Sequence, residues 1–288
     1  MYPETANNKA EQIGKNRVDL GTMPEWDLSD LYPGPDSEEF KADIDGVQEK
    51  CQAFEELYKG ELNALATSSN GGSRLAEAIS AYEALEDLSG RMIAFASLLY
   101  AGDTSDPARA KFYGDVREKL TAASAHLLFF TLELNQIDEA DLAKALEDPK
   151  LAYYRPWLND IAKEKPYQLE DRVEQLFLEK TVSGAGAWSR LFDETITALR
   201  FDCDGEKLAI EPVLGRLTDP DREVRKTAAL ALSKVFTDNT RLFALITNTL
   251  AKDKAISDTW RGFEDVADSR HLANRVEGPV VDALEQAV

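Results

Sequence analysis

The sequence predicts an all-α fold: a multi-helix bundle of long antiparallel helices plus one small β-hairpin near residues 200–210. Three features predict it. Apolar residues recur in steps of three and four over long stretches. Short polar turns separate those stretches. Paired short runs of β character around a turn dipeptide occur at one place, Arg200–Cys203 and Glu206–Ile210 about Asp204-Gly205.

Taken in order, residues 1–19 are polar and aperiodic and read as a mobile tail. Residues 20–36 place Pro24, Pro33, Gly34 and Pro35 around Trp26, Leu28, Leu31 and Tyr32, the composition of an extended arm pinned by its aromatics. Ser37 then caps a helix whose inner face is Phe40, Ile44, Val47, Cys51, Phe54 and Leu57. Ser68 to Gly72 reads as a turn. A long stripe follows, from Leu75 through Ile79, Tyr82, Leu85, Leu88, Met92 and Phe95 to Leu99, and Gly102 ends it. Asp106 and Pro107 are the cap and first-turn proline of a third long helix, expected to run on towards Leu134 with Phe112, Val116, Leu120, Ala123, Leu127 and Phe130 on one face. Three long helices with short turns make antiparallel neighbours.

Asp138 is placed to cap a short helix ending near Glu147, and further helices fit 151–163, 169–181 and 185–199. Asp-Gly favours a type I′ turn in the hairpin, which must dock on helices because a lone hairpin is marginal. From Glu211 to Val288 the pattern is helical again, with breaks expected at Thr237–Asn239 and at Gly262. Residues 212–235 have the form of one HEAT-type helical repeat, with Asp219 as cap, Pro220 at the first helical position and Val224, Ala228, Ala231 and Val235 inward. No second copy is present, so a solenoid is not indicated. The organisation expected is a tail at 1–19, an arm and long-helix bundle at 20–135, and a second helical part at 136–288.

Composition narrows the function classes. A chain of 288 residues, 43% hydrophobic and 30% charged, is long enough for a real core and too apolar for global disorder. No apolar run approaches the ~20 residues that cross a bilayer. The polar start lacks a signal-peptide core, so no membrane partner and a cytoplasmic location are expected. The net charge of −20, from 53 acidic and 33 basic residues, repels phosphate backbones and argues against nucleic acid. Two cysteines far apart, Cys51 and Cys203, are not a disulfide framework. They read as small hydrophobes, one on a helix and one in a strand.

The catalytic inventory is thin. His126 and His271 are the two histidines, and neither begins an HExxH motif: the chain reads His126-Leu-Leu-Phe-Phe and His271-Leu-Ala-Asn-Arg. His126, among Ala125, Leu127 and Leu128, reads as a buried structural histidine. His271 reads as a cap or surface residue. There is no GxSxG elbow. The run Ser183-Gly-Ala-Gly-Ala187 lacks the GK[ST] of a phosphate loop and reads as a helix-to-helix connection. Carboxylate pairs such as Glu55/Glu56 and Asp202/Asp204 carry little information in so acidic a chain. No catalytic residue and no metal ligand is therefore assigned.

Several stretches, taken together and in order, resemble oligoendopeptidase F, a branch of the thimet-oligopeptidase-like zinc peptidases. They are Pro24-Glu-Trp-Asp-Leu-Ser-Asp-Leu-Tyr32, Tyr154-Arg-Pro-Trp157 through Leu178-Glu-Lys-Thr-Val182, Gly186-Ala-Trp-Ser-Arg-Leu-Phe-Asp193, the Asp204-Gly205 hairpin, Asp219-Pro-Asp-Arg-Glu-Val-Arg225, and Arg270 to Val288. The resemblance covers nearly the whole chain after residue 20, through scaffold motifs. It implies a cytosolic enzyme that cleaves short peptides in a helix-lined cleft, with zinc as cofactor. In that family two histidines of an HExxH helix and a downstream glutamate hold the zinc, and the HExxH glutamate activates water. None of those residues has a counterpart here. The family's zinc motif lies beyond the region of resemblance, and Val280, Val281, Leu284 and Val288 are still in helical register where the sequence stops. The chain is therefore expected to be the N-terminal part of such a peptidase. It would be inactive and zinc-free alone, with bare hydrophobic patches where the C-terminal catalytic part would sit. A self-contained helical scaffold or adaptor, or a catalytically dead homologue, is the alternative. Arg261, Arg270, His271 and Arg275 are the candidate substrate-binding residues, since basic groups in an acidic chain suit a peptide carboxylate. Pairing with local Asp and Glu is the competing reading.

Overall fold

The computed structural model describes residues 25–288. The tail expected over 1–19, and the start of the arm as far as Pro24, lie outside the described residues. Ser37 caps helix α1 (Glu38–Tyr58): its hydroxyl accepts from Phe40 N at 3.3 Å, and Glu38 and Glu39 sit where the helix dipole favours acidic groups. Phe40, Ile44, Val47, Cys51 and Phe54 face inward as the spacing predicts. The short α2 (Leu62–Thr67) leads to the longest helix, α3 (Gly71–Gly102), and Asp106 then caps α4 (Pro107–Ser124) by accepting from Ala108 N at 2.7 Å. Helices α1, α3 and α4 pack on one another in all three pairings. Phe40, Phe95 and Phe112 meet at one level of the seam, and Phe54, Tyr82 and Phe130 at another, with ring centroids 4.8 to 6.2 Å apart.

The turn expected at 68–72 is shorter than the sequence suggests, because Gly71 and Gly72 already belong to α3. Packing explains both glycines. A Cβ on Gly71 would lie 2.2 Å from the Ala66 carbonyl oxygen, and one on Gly72 would lie 2.3 Å from both Ala145 O and Asp148 Cβ. The helix start is thus pressed against two neighbouring backbones.

The third long helix is not continuous to Leu134. It breaks into a turn at residues 125–127 and resumes as α5 (Leu128–Leu134). His126 lies in that break. It is half-buried rather than enclosed, its Nδ1 is 2.5 Å from Glu55 Oε2, and its Nε2 is 3.4 Å from Gln52 Nε2. Asp138 caps α6 (Glu139–Ala145). The helix expected over 151–163 is two pieces, α7 (Pro149–Ala152) and α8 (Arg155–Glu164), since Pro156 fits only the first turn of a helix. Buried Asn135 donates from Nδ2 to Ile161 O at 2.8 Å and so ties the end of α5 to α8.

Tyr32 pins the arm. It is 1% exposed. Its hydroxyl donates to Asp43 Oδ2 at 2.9 Å and accepts from Arg91 Nε at 2.9 Å, and the Arg91 guanidinium lies 4.4 Å from the ring centroid. Burial first, then the bond to Asp43, push its phenol up to about 12. Trp26, expected to help pin the arm, is instead 66% exposed.

Beyond a single 3₁₀ turn (Lys165–Tyr167) the packing thins. Helices α9 (Asp171–Ser183) and α10 (Ala185–Ala198) are joined at Gly184. Strands β1 (Phe201–Cys203) and β2 (Glu206–Leu208) pair antiparallel with Phe201 opposite Leu208. Asp204 and Gly205 both have positive φ, 58° and 86°, as a type I′ turn requires. Phe201 and Cys203 face α11 (Ile210–Arg216) and α12 (Arg222–Asp238), forming a second, small core with Val213, Ala228, Ala231 and Leu232. The cap of α12 is Asp221, not Asp219. Asp219 instead accepts from Asp221 N, which leaves Pro220 in the turn before the helix. Helix α13 (Thr240–Arg261) ends at Gly262 in the left-handed region, and α14 (Asp268–Ala273) and α15 (Gly278–Ala287) complete the chain.

Two glycines of α3 give opposite expectations. Gly72→Ala should destabilise by about 1–3 kcal/mol through overpacking. Gly90→Ala, where a Cβ meets nothing within 4 Å, should stabilise by about 0.5–1 kcal/mol. Urea midpoints measured on both variants check the pair of signs.

Candidate functional site

A hollow of about 520 Å³ opens between α5, the 3₁₀ turn, α9, α13 and α14. The last two turns of α13 supply one wall, with Lys254, Asp258 and Arg261 following at helical spacing on one face. Gly262, at φ 78°, reverses the chain, and the Phe263 N–H bonds back to Asp258 O at 3.0 Å. The reversal lays Phe263 on Tyr167, with ring centroids 4.1 Å apart and planes within 16°. That stack forms the floor of the hollow at its 3₁₀ end.

Arg261 is the centre of the site electrostatically. Its Nη1 and Nη2 donate to Glu174 Oε1 and Oε2, each at 2.7 Å, and Nη1 also donates to Tyr167 O at 3.2 Å. Such a fork is the strong geometry for a guanidinium. Glu174 is 8% exposed and also accepts from Leu169 N at 2.9 Å. Burial alone would push the Glu174 carboxyl up. The Arg261 hydrogen bonds, the Leu169 amide and the Arg261 charge outweigh it and hold the group below the usual carboxylate range. Lys254 pairs with Asp258 and donates to Ser269 Oγ at 3.0 Å. Glu164, on the same hollow, is pushed up by burial.

Of the four basic candidates, the structure brings Arg261 alone into the hollow, and its hydrogen-bonding edge is already spent on Glu174. Arg275, at φ 53° after α14, pairs with Asp160 at 3.0 Å outside the lining. Arg270 is exposed and His271 half-buried on α14, and neither lines the hollow. Sequence reasoning missed Glu174, Lys254, Tyr167 and Phe263. Gly262 followed by an aromatic was the available signal for the Tyr167 stack. Glu174 had none, being one of 53 acidic residues.

Among the described residues, no group of three or more His, Cys, Asp or Glu side chains could hold a metal ion. The donors present do not fit a zinc ion, and no hydrolytic step is assigned to them. Nor do they form a nucleophile–base pair. What the arrangement does is fix α13 to α9 through a shielded ion pair. Glu174→Gln should therefore cost roughly 2–3 kcal/mol, below the ~3–5 of a fully buried pair because Arg261 keeps part of its side chain in water. A depressed carboxyl stabilises the fold above its unfolded value and loses that contribution as pH falls through the folded one. The parent should accordingly lose more stability than Glu174→Gln as pH is lowered from 7 to below the ordinary carboxylate range near 4.5. Thermal melts of both proteins across that window check the difference.

The sequence profile of the family described as Oligopeptidase F matches residues 133–201. The Oligoendopeptidase F homolog of Borreliella burgdorferi is 23% identical over 276 residues, covering 95% of this chain and 45% of its own length. Oligopeptidase PepF of Bacillus subtilis is 26% identical over 257 residues, covering 85% and 36%. In fold, the oligoendopeptidase-F of Enterococcus faecium superposes with a TM-score of 0.73 at 21% identity over 86% of this chain and 49% of that one. A putative peptidase of Chlamydophila abortus gives 0.52 at 18% identity over 90% and 43%. The chain spans less than half the length of these relatives. By the profile match over residues 133–201, the two aligned relatives and the shared helical fold, the chain is similar to the oligoendopeptidase F family over most of its length.

Proposed function

We propose that this chain is the N-terminal helical part of a cytoplasmic zinc metallo-oligopeptidase that hydrolyses short peptides. In this reading it forms one wall of a helix-lined cleft and carries none of the zinc ligands. The observation that carries the proposal is the distribution of bare apolar surface. Leu176, Phe192, Leu230, Leu245, Trp260, Val280 and Leu284 are all exposed beyond the well-packed bundle, which itself leaves Trp26, Leu57 and Tyr153 exposed. Trp260 is 61% and Leu284 66% exposed. On this reading these side chains belong to surface that a partner covers. A C-terminal catalytic part is the partner that the similarity to oligoendopeptidase F suggests. No described helix is long and apolar enough to cross a membrane.

On this reading the Arg261–Glu174 pair and the Tyr167–Phe263 stack are rigid parts of the wall. They would hold α13 in place while the zinc centre works from the other side. A narrow cleft built this way would admit short extended peptides and turn away folded proteins. The scaffold alternative calls for a polar outer surface, and the bare Trp260 and Leu284 speak against it.

The test compares residues 1–288 with the full gene product that contains them, by zinc content and by cleavage of internally quenched peptides. The expected outcome is no stoichiometric zinc and no cleavage for the chain, against about one zinc per molecule and cleavage for the longer protein. A chain that takes up zinc and cleaves peptides by itself would refute the division of labour. A longer protein that does neither would leave the peptidase reading without support.

A further inference from the structure

Within the bundle, the middle of α3 and the start of α8 line an open hollow of about 560 Å³, a volume in the range of small-molecule sites. Tyr82, Tyr153, Tyr154 and Trp157 supply aromatic sides, and Glu83 and Glu86 supply the polar groups. No basic side chain lines it. We propose that this cavity binds an alkylammonium cation, held against the aromatic faces and charge-matched by Glu86.

The geometry favours that ligand over others. Tyr82 and Trp157 stand 6.0 Å apart with planes 33° from parallel, while Tyr153 meets Tyr154 edge-on at 5.0 Å. The cavity therefore has aromatic surface on more than one side, the arrangement that attracts a cation through ring quadrupoles. Phe130 stacks on Tyr82 at 4.8 Å and holds that ring from behind. Tyr154 donates its hydroxyl to Glu83 Oε2 at 3.0 Å, fixing one carboxylate at the rim.

Glu86 is the unusual member. It takes part in no ion pair or hydrogen bond among the described residues. Glu86 is exposed as a residue, yet the protein packed against its carboxyl pushes that group up with no compensating cation, and its charge adds to the burial that raises the Tyr82 phenol. Nearby basic residues are turned elsewhere: Arg91, five residues after Glu86, pairs with Tyr32 and Asp43, Arg155 Nη2 donates to Leu146 O at 3.1 Å, and Lys150 Nζ donates to Ser73 Oγ at 3.2 Å. An uncompensated carboxylate beside four aromatic rings, in a chain of net charge −20, is complementary to a positive charge carried on apolar carbon. An anion meets repulsion here, and a neutral apolar ligand leaves Glu86 further desolvated. The assignment does not rest on the peptidase reading, because every group it uses lies within the bundle.

Two sources share this chemistry: a free quaternary amine and the lysine side chain of a peptide. Calorimetric titration of the chain with choline, with N-acetyl-lysine methylamide and with neutral 3,3-dimethyl-1-butanol separates them. Saturable binding of either cation, with the neutral isostere at least about tenfold weaker, is expected. Tyr153→Ala is a safe probe because that side chain is 75% exposed. It and Glu86→Gln should each weaken the cation about fivefold or more while circular dichroism stays unchanged. Tighter binding of choline would point to a free amine, and tighter binding of the lysine amide to a peptide. Equal binding of the neutral isostere, unaltered binding by both variants, or no binding of either cation would overturn the assignment.

Discussion

The seam where α1, α3, α4 and α5 meet is the support on which the rest of the bundle depends. It is an aromatic ladder: Tyr32, Phe40, Phe95 and Phe112 at one end, and Phe54, Tyr82, Phe129 and Phe130 at the other. Rings of this size bury large areas and prefer edge-on or tilted contacts, so they fix relative rotation as well as separation. Truncating one such buried phenylalanine typically costs about 3–5 kcal/mol, a large part of a domain's net stability. The arm, through Tyr32, and α8, through Trp157 on Tyr82, are both ordered by this seam. So is the cation cavity, whose back wall is the Tyr82–Phe130 stack.

The seam ends where burial ends. From Tyr32 to Ile161 the chain shares one continuous core, while the second core gathers few residues around Phe201 and Val213. Helices α13 to α15 have one buried residue between them, Ile246. Their positions depend on partly exposed aromatic pairs, Tyr167–Phe263, Phe177–Trp260, Phe192–Phe243 and Phe236–Phe243, and on polar contacts, the Arg261–Glu174 fork and the Lys254–Ser269 bond. The polar contacts orient helices well but contribute less than full apolar burial, since exchange with water returns most of a hydrogen bond's gross energy. A part of a protein that positions precisely yet buries little is suited to being completed by another surface. That is the physical content of the proposed role as one wall of a larger peptidase.

Much of the fold was legible because it rests on local chemistry. Ser37, Asp106, Asp138 and Gly262 act as caps and stops by side-chain hydrogen bonding or positive φ, which the sequence displays directly. The hairpin was equally plain from Asp204-Gly205. The errors fall where tertiary packing overrides local preference. The break at 125–127 lies in a run of good helix formers and is stabilised by the distant Glu55 on α1. Asp219 and Asp221 are both plausible caps, and the three-dimensional turn at Pro220 decides between them. The candidate site was the least legible part. Charge contrast pointed to Arg261, but a guanidinium in an acidic chain finds a carboxylate of its own, and Glu174 is 87 positions away in sequence. The cation cavity joins α3 to α8 across 71 positions, between Glu83 and Tyr154. No periodicity in a single helix reports that.

The central claim is that a tightly cored bundle carries a thinly cored, partner-dependent second part. Native-state hydrogen exchange on residues 1–288 tests it most directly. Amides beside Cys51, Phe95 and Leu120 should exchange only through global unfolding. Those of α13 to α15 should exchange at least about a hundredfold faster, through local openings near 2.7 kcal/mol easier. Equal protection around Ile246 and Phe95 would contradict the account, because it would mean that the second part is as self-sufficient as the first.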